Sequence, residues 1–182
     1  MKLPSRAEAE KLLKKHITSS YAHIIEHSKK VNCVAVYLAK RLKEAGVDVD
    51  VNIVDIASLL HDLDKVYEIE KGFTHGEYAM KLLSDMGYPE LGRIVYLHRI
   101  DKVDELKSIE EKLVSYADAR VLGSEIVSLR ERFNAIEKRY AKKYNRDSTF
   151  YEKMYKKYVK LEEEIFSHLK EKPDKVLQSS PC

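Results

Sequence analysis

A histidine and an aspartate stand side by side, as His61-Asp62, at the end of the mainly apolar run 53–60. This context predicts that both are buried, and a buried carboxylate without a partner is unfavourable because its ionised form loses its hydration. A divalent cation would remove that penalty. Further candidate ligands follow one another along the chain: His27, His75, His98 and Asp118.

The surroundings of these residues indicate how helices could bring them to one ion. His27 is three residues after Ile24 and four before Val31, so it faces the core side of a predicted helix. Asp118 directly follows the apolar pair Tyr116-Ala117. Imidazole nitrogens together with carboxylate oxygens suit Mn, Fe, Ni, Co or Zn better than Ca or Mg. We therefore expect a divalent transition metal, as one or two ions.

Taken singly, the same residues have ordinary structural interpretations. A lone histidine on an apolar helix face, such as His27, is usually a satisfied core residue. Asp118 could cap a helix or lie at the surface, and His75 could be exposed at the first turn of a helix. His-Asp pairs also occur by chance. The complete set, in this order, is what favours a metal site.

The ordered set resembles the HD-domain superfamily of metal-dependent phosphohydrolases over about half of the chain. The resemblance depends on the opening segment 27–31, the segment 57–65 around His61-Asp62, and then His75-Gly76, Tyr96-Leu97-His98 and Tyr116-Ala117-Asp118. It implies that one ion is bound by His27, His61, Asp62 and Asp118. It also implies a second ion at His75 and His98, bridged by Asp62, as in small bacterial members that hydrolyse dinucleoside polyphosphates.

The resemblance implies a hydrolase in which metal-activated water attacks a phosphate ester or anhydride. We expect a small phosphorylated substrate, a nucleotide or dinucleotide. The predicted catalytic residues are Asp62, Lys65 and Arg99, of which Lys65 and Arg99 would contact phosphate, with Arg120 as a further candidate. Lys65 could equally be an exposed lysine at a helix end.

Several neighbouring side chains add to this prediction. Asp64 stands where the family often has Gly or Ala, and we expect it to face solvent or to lie just behind the ligands. His23 belongs to the same helical stripe as His27, and we interpret it as a core residue or one just behind the ligands. Pocket shape is expected to come from Tyr67, Phe73 and Tyr96 and from the helices after Gly123.

Two other functions fit the same residues. A dinuclear-iron oxygenase would use a similar ligand set, and iron content with oxygen consumption would identify it. A non-catalytic module could bind nucleotides or partner proteins through the site or through the C-terminal helices. Nucleotide binding that depends on Asp62, without turnover, would favour that alternative.

Composition limits the remaining choices. The 182 residues carry a formal net charge of +3, with basic and acidic residues interspersed, so nucleic acid is an unexpected partner. No apolar run approaches the ~18 residues of a membrane span, and the first residues do not resemble a signal peptide. Cys33 and Cys182 are the only cysteines, which predicts no disulfide framework and a cytoplasmic location.

The apolar periodicity predicts an all-α protein, an HD-domain helical bundle followed by a pair of long amphipathic helices. Capping boxes are predicted at Ser5, Thr74 and Ser108. The only strand-like stretch, 47–51, is too short to form a sheet. We divide the chain into the core 1–123, a helical hairpin 124–172 that packs on the core or at a homodimer interface, and a loose tail 173–182.

Overall fold

The computed structural model describes residues 1–182 and confirms the all-α prediction. Two short 3₁₀ helices, Ser19–Tyr21 and Ile100–Glu105, and one small hairpin supplement ten α-helices. The α-helices are α1 (Arg6–His16), α2 (Ala22–Glu44), α3 (Val51–Leu60), α4 (Lys65–Lys71), α5 (Glu77–Asp85), α6 (Pro89–Leu97), α7 (Ile109–Asp118), α8 (Leu129–Tyr144), α9 (Ser148–Ser167) and α10 (Pro173–Gln178).

The long helix α2 lies at the centre and packs against α3 and α7. Its stripe of apolar side chains is fully buried and includes Val31, Ala35 and Leu38, because residues three and four apart share one helix face. Asn32 holds α3 against this stripe by donating hydrogen bonds to Ser58 Oγ (3.0 Å) and to the Asp55 carbonyl oxygen (2.8 Å). The carboxyl end of α3, with His61-Asp62 after it, is thereby placed beside α2.

Helix α5 begins differently from the prediction. The capping box expected at Thr74 is absent; Gly76 is the N-cap, without a side-chain cap, and its φ is +84°. A Cβ atom at Gly76 would lie 3.3 Å from the Tyr96 side chain and 3.4 Å from that of Arg99. Glycine therefore permits both the left-handed backbone and the close approach of this loop to α6, and it positions the neighbouring His75. The capping boxes at Ser5 and Ser108 are present as predicted.

After α7 the chain forms a two-stranded antiparallel hairpin, β1 (Val121–Leu122) and β2 (Glu125–Ile126), and the stretch 47–51 is not a strand. A capping box at Ser128 then begins α8, later than the expected start at Ser124. The antiparallel pair α8 and α9 (the C-terminal hairpin) packs on the core. Phe133 on α8 and Tyr158 on α9, whose ring centroids are 5.2 Å apart, belong to the same buried cluster as Val31 and Leu38 of α2, and Phe133 is 2% exposed.

The last residues do not form the loose tail that the sequence suggested. Residues Pro173–Gln178 form α10, and its Val176 and Leu177 are buried in the same core cluster as α2 and α9. Cys33 on α2 and Cys182 form a disulfide, so the prediction of no disulfide is wrong. Two buried apolar residues and one covalent bond therefore hold this segment in place. Cysteine usage consequently no longer argues for a reducing compartment.

None of the helices combines the length and the apolar character that crossing a membrane requires.

Candidate metal centre

Four histidines are oriented through their Nδ1 atoms, each of which lies at an acceptor oxygen. Because a carbonyl or carboxylate oxygen can only accept, Nδ1 carries a hydrogen in all four, so in the neutral form of each imidazole the lone pair is on Nε2. The acceptors are the Gly123 carbonyl for His27 (2.8 Å), the Ser58 carbonyl for His61 (2.7 Å), the Val95 carbonyl for His98 and Asp64 Oδ1 for His75 (3.0 Å). The four Nε2 atoms are thereby available to one common space.

Asp62 lies between two pairs of these nitrogens. Its Oδ2 is 3.9 Å from His27 Nε2 and 3.7 Å from His61 Nε2. Its Oδ1 is 3.1 Å from His75 Nε2 and 3.8 Å from His98 Nε2. One carboxylate therefore faces both histidine pairs, which is the position that a bridging ligand needs.

Asp118, at the end of α7, completes the first pair. Its Oδ1 is 3.0 Å from His27 Nε2 and 3.7 Å from His61 Nε2. The same carboxylate accepts from Arg132 Nη2 at 2.9 Å, and the Asp118 carbonyl oxygen accepts from Arg132 Nε at 3.1 Å. Arg132 on α8 thus fixes the orientation of this candidate ligand.

These atoms fit a divalent cation. Nε2 of His61 is buried and has no hydrogen-bond partner in the protein, which is unusual for a polar atom unless something else binds it. Metal–nitrogen bonds of about 2.0–2.1 Å place neighbouring ligand atoms about 3–3.5 Å apart, close to the separations observed. Two groups could each hold an ion, His27 with His61 and Asp62, and Asp62 with His75 and His98. The structure thus brings all six predicted ligands together.

The carboxylates of this centre are held ionised. Burial by itself raises the pKa of Asp62, but His61, the hydrogen bond with His75 and Lys65 outweigh it, and the pKa lies well below its usual value. The pKa of Asp118 is also well below its usual value, because Arg132 and His27 outweigh the effect of burial. Both groups are consequently anionic ligands at neutral pH.

The histidines of the second group differ in their affinity for protons. Burial, followed by neighbouring His75, lowers the pKa of His98 to about 3. Burial and Lys65 also lower the pKa of His75, but its hydrogen bonds with Asp62 and Asp64 dominate and raise it to about 9. Without a cation, His75 therefore holds a proton at neutral pH while His98 is neutral.

Asp64 lies directly behind the ligands and does not face solvent, since it is only 1% exposed. Its Oδ1 accepts from His75 Nδ1, and its Oδ2 accepts from the backbone N–H of Ala79 at 3.1 Å. Such an outer carboxylate orients a ligating imidazole and increases its basicity. Of the two positions expected for Asp64, the structure selects the one behind the ligands.

Lys65 lines the cavity but is not an isolated cation. Its Nζ lies 2.7 Å from Glu68 Oε2 and donates to the Tyr140 hydroxyl at 2.8 Å. Glu68, which the sequence analysis did not single out, is 3% exposed. Its Oε2 is 3.6 Å from His75 Nδ1, and its Oε1 accepts from Tyr144 Oη. Glu68 therefore connects the metal centre to the C-terminal hairpin.

Arg99 is held in a similar way. It donates from Nε and Nη2 to the two oxygens of Asp101, at 3.1 and 2.9 Å, and from Nη1 to the His75 carbonyl oxygen at 3.1 Å. Arg146 donates to the same Asp101 carboxylate at 3.0 Å. Arg120 does not line the cavity, because its guanidinium is buried against Tyr116, Glu162 and Asp174.

A cavity of about 240 Å³ opens over the centre and is enclosed on one side by the C-terminal hairpin. Its aromatic lining is Tyr140, Tyr144 and Tyr151, whereas the expected Tyr67, Phe73 and Tyr96 do not line it. His23 lines it too, but its side chain is exposed and does not belong to the core.

Helix α8 contributes four residues that were not among the predicted site residues. Arg132, Ile136, Arg139 and Tyr140 recur at helical spacing and all line the cavity. That spacing indicates that the four side chains lie on one face of α8, but only the packing shows that this face covers the cavity.

The charged lining comprises five cationic side chains, Lys65, Arg99, Arg132, Arg139 and Arg146, and four carboxylates, Asp62, Glu68, Asp101 and Asp118. With one or two divalent cations added, the cavity is strongly positive.

Comparisons with known proteins agree with this geometry. The model of the HD domain family matches residues 24–121, which contain all six candidate ligands. The chain is also 28% identical to an uncharacterized protein of Methanocaldococcus jannaschii over 137 residues, which is 67% of this chain and 80% of that protein. No solved structure matches the chain.

Proposed function

The chain belongs to the HD domain family, and from this premise we propose that it is a metal-dependent phosphohydrolase acting on a phosphate ester or anhydride of a nucleotide or dinucleotide. The observation that carries the proposal is the position of Asp62. Its two oxygens face two separate histidine pairs, and the Nε2 atoms of those histidines have no competing backbone partner. A carboxylate between two histidine pairs suits two cations that bind the same substrate phosphate.

The residues have the following roles in this proposal. His27, His61, Asp62 and Asp118 would hold one cation, and His75 and His98, together with Asp62, would hold a second. A bound divalent cation supplies two effects, a lower pKa for coordinated water and neutralisation of phosphoryl oxygens. The carboxylates are already ionised at neutral pH, so the protons that a cation must displace are those of histidines: His75, whose pKa is about 9, and His27, whose pKa is raised because its hydrogen bond with Asp118 outweighs burial.

Lys65, Arg99 and Arg132 support the substrate side of the proposal. All three line the cavity, and each is oriented by a carboxylate: Glu68, Asp101 or Asp118 respectively. Pre-oriented cations lose little freedom when an anion arrives, and they stabilise charge that develops at phosphorus. We assign phosphate contact to Lys65 and Arg99, and we add Arg132, which the sequence analysis did not name.

Elemental analysis of the purified protein, followed by hydrolysis assays, tests the proposal. We expect bound Mn, Fe, Ni, Co or Zn and metal-dependent release of phosphate from an aryl phosphate or a nucleotide. Asp62→Asn should reduce both the affinity for the metal and the rate of hydrolysis by at least about 100-fold, since loss of even an outer partner of a ligand costs about 10–100-fold. Asp85→Asn is the matched control, since Asp85 is an exposed carboxylate paired with Lys81.

Three results would contradict the proposal. One is a protein that binds none of these metals and remains inert when they are supplied. Another is oxygen consumption by an iron-loaded protein without phosphate release, which would identify the oxygenase alternative. The third is nucleotide binding that depends on Asp62 but leads to no turnover, which would indicate a non-catalytic module.

A further inference from the structure

The cavity extends beyond the metal centre along the C-terminal hairpin. Three side chains define what we call the hairpin wall, Tyr140 on α8, Arg146 in the turn between the helices, and Tyr151 on α9, and all three line the cavity. They lie outside residues 24–121, the segment that the family model matches. None of the three is among the six candidate ligands, so the metal centre gives their polar groups no role.

Tyr151 has an unusual hydroxyl. The residue is 2% exposed, and its Oη atom is buried without a hydrogen-bond partner in the protein. A buried hydroxyl in that state is unfavourable, and most such groups are satisfied by water or a ligand. Because Tyr151 also lines the cavity, an acceptor atom of a bound molecule can supply the missing partner.

Tyr140 provides a second hydroxyl hydrogen that has no acceptor in the protein. Lys65 Nζ donates to Tyr140 Oη at 2.8 Å, and an ammonium group cannot accept in return. The hydrogen of Tyr140 Oη is therefore free for another acceptor, and no protein atom takes it. Tyr144 differs, because its hydroxyl already donates to Glu68 Oε1 at 2.8 Å.

Arg146 adds a fixed positive charge to the wall. Its Nη2 donates to Asp101 Oδ2 at 3.0 Å, and its guanidinium lies 4.2 Å from the centroid of the Phe150 ring. One of the three guanidinium nitrogens donates in this way, and the other two keep N–H groups that can donate to a ligand. Asp101 is shared with Arg99, so a single carboxylate faces two guanidinium groups. The local balance of charge favours an additional anion.

The hairpin wall is close to the metal centre. Contacts of 2.8, 2.7 and 3.6 Å lead from Tyr140 Oη through Lys65 and Glu68 to Nδ1 of His75. The three wall residues line the same cavity of about 240 Å³ as Asp62, His75 and His98. A substrate with its reacting phosphate at the metal centre can therefore place a neighbouring phosphate at the wall.

Building on the proposed function, we propose that Tyr140, Tyr151 and Arg146 bind a second phosphate group of the substrate. The wall presents two hydroxyl hydrogens and a guanidinium, and phosphate oxygens accept from all of these. The substrate class that follows is a nucleotide with two or more linked phosphates, in preference to a phosphomonoester. The C-terminal hairpin is thereby the element that determines specificity.

A comparison of substrates tests this inference. The wild-type protein should have a higher kcat/KM for a nucleoside diphosphate than for the corresponding monophosphate. Tyr151→Phe and Arg146→Gln should each lower the ratio of these two values by about tenfold, the effect of one lost hydrogen bond to a charged group. Tyr155→Phe is the matched control, since Tyr155 lies one turn further along α9 and does not line the cavity. An unchanged ratio in both variants would overturn the inference.

A binding experiment separates this inference from the proposed function. Pyrophosphate and orthophosphate would be titrated calorimetrically into the chelator-treated protein, so that neither turnover nor metal chelation contributes. We expect pyrophosphate to bind more tightly than orthophosphate, and Tyr151→Phe to weaken pyrophosphate binding about tenfold. If no phosphate compound is hydrolysed yet this pattern is found, the proposed function fails and the subsite stands. If hydrolysis is found but pyrophosphate binding does not depend on Tyr151, the subsite fails and the proposed function stands.

Discussion

Oδ1 of Asp64 lies 3.0 Å from Nδ1 of His75, and Asp64 is 1% exposed. The carboxylate is fixed from the other side by the backbone N–H of Ala79, at 3.1 Å from Oδ2. This pair keeps a hydrogen on Nδ1 of His75 and therefore orients Nε2 towards Asp62. A residue that the sequence analysis placed either in solvent or behind the ligands thus orients a candidate ligand.

Asp64→Asn is expected to lower the affinity for a divalent cation by about 10–100-fold, the usual effect of removing an outer hydrogen-bond partner of a ligand. The amide keeps the size of the side chain, so the thermal unfolding temperature should change far less than the affinity. Metal titration by calorimetry measures the effect, with Asp85→Asn as the control. Equal affinities in the Asp64 and Asp85 variants would contradict the assigned role.

Metal binding should release protons and become stronger as the pH rises. The hydrogen bonds with Asp62 and Asp64 outweigh burial and raise the pKa of His75 to about 9, so at pH 7 a cation must displace its proton. Affinity should increase with pH, by up to about tenfold per unit, and level off above pH 9. Calorimetry in buffers of different ionisation enthalpy counts the released protons. Affinity that is constant between pH 7 and 9 would count against His75 as a ligand.

The disulfide between Cys33 and Cys182 joins residues that are 149 positions apart. Closing so long a loop restricts the unfolded chain, so Cys33→Ser should lower the free energy of unfolding by about 2–4 kcal/mol. Denaturant titration with and without a reductant measures this. The reductant should destabilise the wild type to a similar extent and leave the variant unchanged. A wild-type protein that is insensitive to reductant would show that the bond contributes nothing.

Phe133 on α8 holds the C-terminal hairpin on the core. Because its side chain is 2% exposed, Phe133→Ala should lower the free energy of unfolding by about 3–5 kcal/mol. Phe73→Ala makes the same chemical change at a side chain that is 43% exposed, and should change the free energy by less than about 0.5 kcal/mol. Similar effects in the two variants would mean that the hairpin contributes little to the core.

Much of the helical framework and of the candidate ligand set could be predicted from local pattern. The stripe that includes Val31 and Leu38 shows which face of α2 is buried, and His27 lies on that face. Capping boxes mark the starts of α1 and α7 correctly. At Thr74 the same signal is misleading, because the left-handed backbone of Gly76 moves the start of α5 to Glu77.

The sequence by itself determined the residue types of the site, their order and the helices near them. Each of these follows from local patterns of a few neighbouring residues. Only the tertiary structure decided that Tyr140, Arg146 and Tyr151 enclose the same cavity, that Asp64 lies behind His75, and that Cys182 reaches Cys33. The reason is physical. Helical periodicity specifies which face of a segment is buried, whereas the distant segment that covers that face depends on the packing of the whole chain.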